Sequence, residues 1–375
     1  MALASKGVSL DVIGSNEVDS PELHVAPKLK FLNLQGDLRQ DVGLAKRLLR
    51  LLIFYARLIH YVSIAKPKIF HILWNNKLQF FDRVFLMLYY KLRGKKIAFT
   101  AHNVNAARRD SNDSTLNRLT LKIQYRLADH IFVHTDRMRR ELLEHFGVRE
   151  RSVTVIPFGI NNAVANTALT PAEAKQRLGL RTTDKAILFF GAIRRYKGVE
   201  YLVAAHERLL TTSAGYRLII AGEPKKGAQN YLGRIQQTIR RAGHPEHVIQ
   251  KFEYIPDDET ELYFKAADVL VLPYTHVFQS GVLFLAYSFG LPVIATRIGS
   301  FGEDILEGRT GFLCEPCDPA DLARAIEAYF ASDLFKTLDR RRPEIRDYAS
   351  ERHSWDLIGE MTLHVYTKLL TGNPS

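Results

Sequence analysis

The sequence predicts an α/β protein built from two Rossmann-like, doubly wound halves, and three observations carry that expectation. The chain has 375 residues, more than one typical core accommodates, so two domains are the default. Short β-branched and aromatic runs alternate with longer helix-like stretches in both halves, the βαβα pattern of a parallel sheet covered by helices. Between the halves, "NNAVANTALTPAEAKQRLGL" (161–180) has the small, polar composition of a linker and leads into a helix opening at Thr170-Pro171, an N-cap followed by proline in the first turn. The boundary is expected near residue 160.

In order along the first half, strand-like runs fall at 10–13, 68–73, 96–100, 130–134 and 153–156. The second half repeats the pattern at 186–190, 217–221, 248–252, 269–272 and 293–296. A doubly wound half starts with a strand, a glycine-rich turn and a helix. Here "MALASKG" reads as the last turn of a helix with Gly7 as its C′ residue, and "VSLDVIG" as the second strand. The first domain is therefore expected to lack its first strand, and roughly 20 to 30 further residues are expected upstream of Met1.

Composition narrows the function. With 46% hydrophobic and 25% charged residues, the chain reads as globular, and its apolar runs fall short of the roughly 20 residues of a membrane span. The first ten residues lack the pattern of a secretory signal, and two cysteines suit a reducing compartment, so a cytoplasmic location is expected. Cys314-Glu-Pro-Cys317 follows a strand-like "GFLC" and has no partner pair for zinc, so it reads as an incidental loop pair. Net charge is +12, with 26 Lys+Arg against 14 Asp+Glu in residues 1–160 and 26 against 26 thereafter. A basic half beside a neutral one suggests an anionic partner. Nucleic acid is not expected: no aromatic RNA motif, helix-turn-helix or zinc-ligand set is present.

Ligands of open α/β sheets bind beyond the carboxyl ends of the strands. After "AILFF" comes Gly191-Ala-Ile-Arg194-Arg-Tyr-Lys197-Gly198. Glycine lets the backbone approach a phosphate, and Arg194 and Lys197 can neutralise a diphosphate. After "VLVLPY" comes "HVFQSGVLFLAYSFGLPVIAT" (276–296). Gln279 and Ser280 stand where an N-cap belongs, and residues 281–289 read as one helix apolar on every face and so buried all round. The amide donors at its start, Ser280, Gly281 and Val282, suit an anion. Asp257 and Asp258 read as N-cap residues of the helix "ETELYFKAA", and Glu303 and Asp304 as caps of the helix that follows them.

These segments together resemble a family. "FFGAIRRYKGVEYL", "RLIIAGEP", "FEYIPDDETELYFKAADVLVLPY", "SGVLFLAYSFGLPVIAT" and "EDILEGRTGFLCEPCDPADLARAI" are similar, in order and spacing, to the nucleotide-sugar-binding domain of retaining GT-B glycosyltransferases of the large bacterial mannosyl- and glucosyltransferase group. "KPKIFHILW", "KKIAFTAHN", "HIFVHTDRMRRELLEHFGV" and "SVTVIPFGI" resemble the acceptor domain of the same group.

The resemblance implies two Rossmann-like domains facing a central cleft: residues 1–160 for the acceptor, 161–350 for the donor, and 351–375 as a helix crossing back to the first domain. It implies a donor UDP-, GDP- or ADP-sugar with its diphosphate at Arg194, Lys197 and the 280–282 amides. The base would lie by Tyr254 and Ile255, with Gly191 lining the same pocket. No metal or other cofactor is expected, since the chain has no Asp-x-Asp. His102, after the strand at 96–100, matches the family histidine near the donor sugar and would position it. The acceptor would be a glycan or a lipid-linked sugar.

Two departures stand out. The family's paired glutamates fall at Val277 and Leu285 here, and its arginine after the first glycine at Ala192. The ribose contact would then come from Gln279 or Ser280, and a non-catalytic nucleotide-sugar-binding or regulatory subunit is the alternative reading. In the first half, Trp74 and Asn75 could face a sugar. Residues 37–68, with Arg39, Lys46, Arg47, Arg50, Arg57, Lys66 and Lys68 around an apolar body, read as a basic amphipathic surface suited to an anionic membrane. In "SWDLIGEMTLHVYTKLL", Ser354 can cap the last helix, and Trp355, Ile358, Met361, Val365 and Leu369 are spaced for one apolar face.

Overall fold

The computed structural model describes residues 1–37, 43–109, 113–160 and 164–372. Two compact units emerge, Met1–Pro157 with Trp355–Ser375, and Phe158–Ser354. The boundary expected at residue 160 abuts residues 161–163, which, like Arg39, lie outside the described residues.

The first unit holds strands β1 (Leu10–Ser15), β2 (Leu29–Gly36), β3 (Ile69–Ile72), β4 (Lys96–Thr100), β5 (His130–Val133) and β6 (Val153–Val155). All pairings are parallel, but they form two sheets, β1-β2 and β3-β4-β5-β6, rather than one continuous doubly wound sheet. The helix Leu44–Ile64 joins the two sheets through one core. Its Phe54, Tyr55, Leu58 and Val62 are buried with Met87, Tyr90 and Ile97, and Leu34 of β2 and Phe70 of β3 pack on the same cluster. The opening helix is Ala2–Ser5, and Gly7 takes the left-handed conformation at φ 87°, as the sequence indicates.

The terminal helix Trp355–Thr371 packs on the four-stranded sheet through Ile358, Val365 and Tyr366, with Met361 and Leu369 partly buried. Trp355, expected on that apolar face, is exposed because it is the first residue of the helix and lies before the packed turn. Two histidines tie this region together. His71 on β3 bonds the Tyr366 hydroxyl at 2.6 Å and Thr100 Oγ1 at 2.7 Å. His130, at the start of β5, bonds Thr154 Oγ1 at 2.8 Å.

The second unit is a six-stranded parallel sheet built from β7 (Lys185–Phe190), β8 (Tyr216–Ala221), β9 (Val248–Lys251), β10 (Val269–Leu272), β11 (Val293–Thr296) and β12 (Gly311–Cys314). The order β12-β11-β10-β7-β8-β9 places the change of winding direction between β7 and β10. A crevice opens beyond the carboxyl ends of strands at such a point. Asp268 fixes this pairing from the amino ends. Its backbone N–H donates to the Ala186 carbonyl at 2.9 Å, and its carboxylate accepts from the Ala186 N–H at 2.8 Å and from Lys175 Nζ at 2.9 Å. The linker helix Pro171–Arg177 that carries Lys175 opens with the expected cap at Thr170, completed by Glu173 into a capping box.

Two capping expectations are corrected. The helix Asp257–Ala266 begins at Asp257 with Pro256 as its N-cap, so Asp257 and Asp258 lie in its first turn, where their charge favours the amino end without a capping bond. Glu303 and Asp304 close the short helix Phe301–Asp304 instead of capping a later one, because the chain turns at Ile305 toward β12. Cys314 is buried at the end of β12 and Cys317 is exposed, and both are free.

Burial holds His71 and His130 at about 4, with proximity to His102 and His130 adding to the lowering in the first case and Lys368 in the second. Both folded-state values lie below the ordinary 6.5, so the unfolded chain binds more protons on that interval. The stability they contribute is complete above about pH 6.5 and is lost as pH falls toward 4. Thermal melts between about pH 7 and 4.5 should show the melting temperature falling, and His71→Gln should flatten that slope; an unchanged slope would mean that His71 does not titrate with unfolding.

Candidate functional site

At the β7–β10 crevice, the chain leaves β7 at Gly191, turns through Arg195–Lys197 in a 3-10 turn and re-enters a helix at Val199. Gly191 sits at φ 104° and Gly198 at φ 62°, conformations that side chains disfavour. A methyl group on Gly198 would lie 2.0 Å from the Pro273 carbonyl oxygen, so this turn can exist only against β10 because the residue is glycine. The Thr275 N–H donates to the Tyr196 carbonyl at 2.8 Å, which joins the loop after β7 to the loop after β10.

Lys197 is the centre of this arrangement. It is 7% exposed, and its Nζ lies 5.2 Å from the Tyr274 ring and 5.8 Å from the Phe189 ring. A methyl group on Gly191 would stand 3.1 Å from that Nζ and 3.5 Å from Val282, so Gly191, Lys197 and Val282 surround one small space. Among the described residues the Lys197 side chain makes no ion pair or hydrogen bond. Burying an ammonium without a carboxylate is costly, and the rings offset only part of that cost through their π faces. An anionic ligand in the adjoining space would complete its partners.

The helix after β10 spans Gly281–Ser288, with Ser280 as its N-cap. Leu283 to Tyr287 are buried as expected, but Gly281 is exposed and Val282 half-buried, so the helix is not enclosed all round. Its amino end opens toward the crevice, because a buried end would strand amide donors. Ser280 does not cap with its side chain; its Oγ meets the Tyr274 hydroxyl at 3.5 Å. The first amides of the helix are thus left to another acceptor. The Gln279 Oε1 atom is enclosed and has no hydrogen-bond partner among the described residues. The loop is held by Thr296 Oγ1 donating to the Tyr274 carbonyl at 2.7 Å and by the Ser300 N–H donating to the Phe278 carbonyl at 3.0 Å. Val277 and Leu285 are both buried and apolar.

Of the residues singled out in the second half, the structure brings together Gly191, Lys197, Ser280, Gly281 and Val282, with Gln279 beside them. Arg194 opens the 3-10 turn, half-buried. Tyr254 and Ile255 lie past the edge strand β9, with β8 between that strand and β7; Tyr254 is exposed and Ile255 buried. Tyr274 was missed by the sequence reading, although its place at the end of "VLVLPY" marks it as the first residue able to reach the crevice.

In the first unit, three neighbouring strands end in aromatic groups. Trp74 follows β3, His102 follows β4 and His134 follows β5. Trp74 and His102 stack with centroids 4.2 Å apart and planes 13° apart. His134 Nε2 and His102 Nδ1 are 2.9 Å apart, and His134 Nδ1 is 3.2 Å from the Ile156 carbonyl oxygen. A carbonyl can only accept, so His134 carries its proton on Nδ1 and accepts from His102 Nδ1–H at Nε2. His102 is thereby assigned the tautomer in which Nε2 is an acceptor. Burial and then His134 hold His102 at about 4, so it is neutral near pH 7. His134, which the sequence reading passed over, orients the ring. Asn75 is a correction: its amide exchanges hydrogen bonds with Gln124 at 2.6 and 3.2 Å and is committed to the fold.

Residues 184–332, which contain the whole β7–β10 crevice, match the family model "Glycosyl transferases group 1", and residues 1–164 match "Glycosyltransferase Family 4". A D-inositol 3-phosphate glycosyltransferase from Acidothermus cellulolyticus is 29% identical over 248 residues, 65% of this chain and 54% of that protein. A glycogen synthase from Mycobacterium tuberculosis is 30% identical over 248 residues, 64% and 54% respectively. The chain thus spans about half the length of the curated relatives it matches. Among solved structures, a sucrose-phosphate synthase from Thermosynechococcus elongatus superposes with TM-score 0.77 at 20% identity, covering 99% of this chain and 92% of that one. HepE from Anabaena, solved with UDP-glucose, gives TM-score 0.74 at 17% identity over 95% and 91%. These structures share the two-domain α/β fold called GT-B. The two family models together match residues 1–164 and 184–332, so each unit carries a glycosyltransferase family domain, and the chain has the GT-B fold of these structures.

Proposed function

We propose that the protein transfers a sugar from a nucleoside diphosphate sugar to a glycan or lipid-linked acceptor, with retention of anomeric configuration and without a metal ion. The observation that carries this reading is Lys197, a buried cation with no anionic partner among the described residues, set beside Gly191 and the open amide end of the Gly281–Ser288 helix. That set suits a diphosphate. The cation meets its charge, the first helical amides donate to its oxygens, and Gly191 leaves room for approach. HepE, a fold neighbour, has been solved with UDP and with UDP-glucose, which supports a nucleotide donor for this chain.

The chemistry follows from where charge develops. As the bond between the sugar C1 and the phosphate oxygen breaks, negative charge grows on the leaving diphosphate, and donors already fixed there stabilise the transition state more than the ground state. For retention, the acceptor oxygen bonds C1 on the face the phosphate leaves, and the acceptor proton passes to the departing phosphate oxygen. Arg194 and Lys197 supply the positive charge that a divalent ion supplies in other transferases. Gln279, half-buried beside the helix start, takes the ribose contact that Val277 and Leu285 cannot make. His102 serves the transfer step through its acceptor Nε2 and takes no part in nucleotide binding.

Thermal-shift titration with UDP, GDP and ADP should identify one nucleotide that stabilises the protein by mass action. Lys197→Ala should weaken its binding by about 1.5–3 kcal/mol, whereas His102→Ala should leave binding intact and lower transfer. An unchanged affinity in Lys197→Ala, or equal losses of binding and transfer in His102→Ala, would contradict these assignments.

The acceptor reading includes an anionic membrane surface. No helix among the described residues is long and apolar enough to cross a membrane. The Leu44–Ile64 helix nevertheless leaves Leu44, Leu48, Leu49, Leu52 and Ile53 exposed, while its buried face starts only at Phe54. Lys46, Arg47, Arg50 and Arg57 lie on the same helix. An exposed apolar stripe with cations beside it suits the boundary of an anionic leaflet. Liposome flotation should show binding to anionic but not neutral vesicles, weakened by salt and by Leu48→Ser with Leu52→Ser; no binding to either vesicle would remove the membrane from the account.

A further inference from the structure

The first unit carries a second recess, at the end of its sheet opposite to His102. It has a volume of ≈ 970 Å³ and is lined by the start of β5, the connection into β6, the end of the Thr115–Leu127 helix and one side of the Trp355–Thr371 helix. His130 opens β5 on this side, and His134 follows β5 on the other. Four strand residues separate the two ends by about 13 Å.

The lining is chemically uneven. Lys91, Arg126, Arg149, Arg151 and Lys368 contribute cations, and Asp129 is the one carboxylate. Asp129 is already engaged: Lys91 Nζ lies 2.8 Å from its Oδ1, and its Oδ2 accepts from the Ile97 N–H at 2.7 Å. Among the described residues, Arg126, Arg149, Arg151 and Lys368 have no side-chain hydrogen bond or ion pair. They come from three separate elements, so their convergence is made by the fold and is not a run of charge along one helix. Ser152, Thr154 and His130 add polar groups, and Met361, Val365 and Leu369 form an apolar wall. Like charges gathered around a concavity repel unless an anion occupies it, and such a concavity concentrates anions. The recess is of the size that takes a small organic ligand.

We infer that this recess binds a small phosphorylated molecule, its phosphates held by Arg149, Arg151 and Lys368 and its less polar part against Met361 and Leu369. The ligand bridges the Trp355–Thr371 helix to the β5–β6 edge. It therefore acts on how firmly that helix is docked on the first unit, as an effector separate from the sugar donor. Arginine suits this role because its planar fork pairs with two phosphate oxygens at once.

Inorganic pyrophosphate is the probe, since it carries the anionic group without a nucleoside. Calorimetric titration of the full chain should show saturable binding that survives in Lys197→Ala and weakens at least about tenfold in Arg149→Ser/Arg151→Ser/Lys368→Ser. These three side chains are exposed, so the triple variant should melt like the parent without ligand and still be stabilised by the nucleotide that fits the donor crevice. Pyrophosphate binding that disappears in Lys197→Ala and persists in the triple variant would overturn the inference and place the probe in the donor crevice. Absence of saturable binding into the millimolar range would overturn it as well, while leaving the donor reading to its own nucleotide titration.

Discussion

The pairing of β7 with β10 is the contact on which the rest of the second unit depends. Neighbours in space but 79 positions apart from Phe190 to Val269 by way of β8 and β9, these strands turn a sheet into one with a crevice. Asp268 holds the pair at its amino end through both its backbone and its carboxylate, and Lys175 neutralises that carboxylate. Removing one member of such a buried pair typically costs about 3–5 kcal/mol, because the other charge is left uncompensated. At the carboxyl end, Gly198 lets the turn after β7 lie against Pro273 with no side chain between them. The crevice is therefore clamped at both ends of the same two strands.

That clamp makes sense of the polar groups placed in it. Lys197 is buried by the turn that Gly198 permits, and Gly281–Ser288 is aimed by the loop that Thr296 and Ser300 restrain. Neither arrangement is favourable without an anion: an ammonium loses hydration, and the first amides of the helix have no side-chain cap. The same features suit the proposed diphosphate, whose donors would need no reorganisation as charge develops. The first unit uses the other strategy. His102 is held neutral and oriented by His134 and Trp74, so it presents an acceptor and carries no charge.

Much of this was legible in the residues, for physical reasons that differ by element. The second-half strands are fully buried β-branched runs such as Val269–Leu272 and Val293–Thr296, and burial on both faces is what makes such runs visible. The glycines after β7 were readable because a tight turn at the carboxyl end of a strand demands them, and the lysine because it stands between them. β2 was missed because "LKFLNLQG" mixes Lys30, Asn33 and Gln35 into its apolar positions, as befits a strand never fully buried. The splitting of the first unit into two sheets could not be read from local pattern, since register depends on which edges meet. His134 was overlooked because its role is to orient another ring, and that depends on a 2.9 Å contact between residues 32 apart. Asn75 looked available for the converse reason: its partner Gln124 lies 49 residues away.

The central claim is that the β7–β10 crevice recognises a diphosphate through Lys197 and the amides that begin the Gly281–Ser288 helix. Hydrogen–deuterium exchange compares these backbone groups directly in the protein alone, with the uridine nucleoside and with UDP. The account predicts slower exchange over residues 191–198 and 280–284 with UDP and not with uridine, because only the diphosphate engages those amides. Protection confined to other segments, or the same protection from the nucleoside as from UDP, would contradict it.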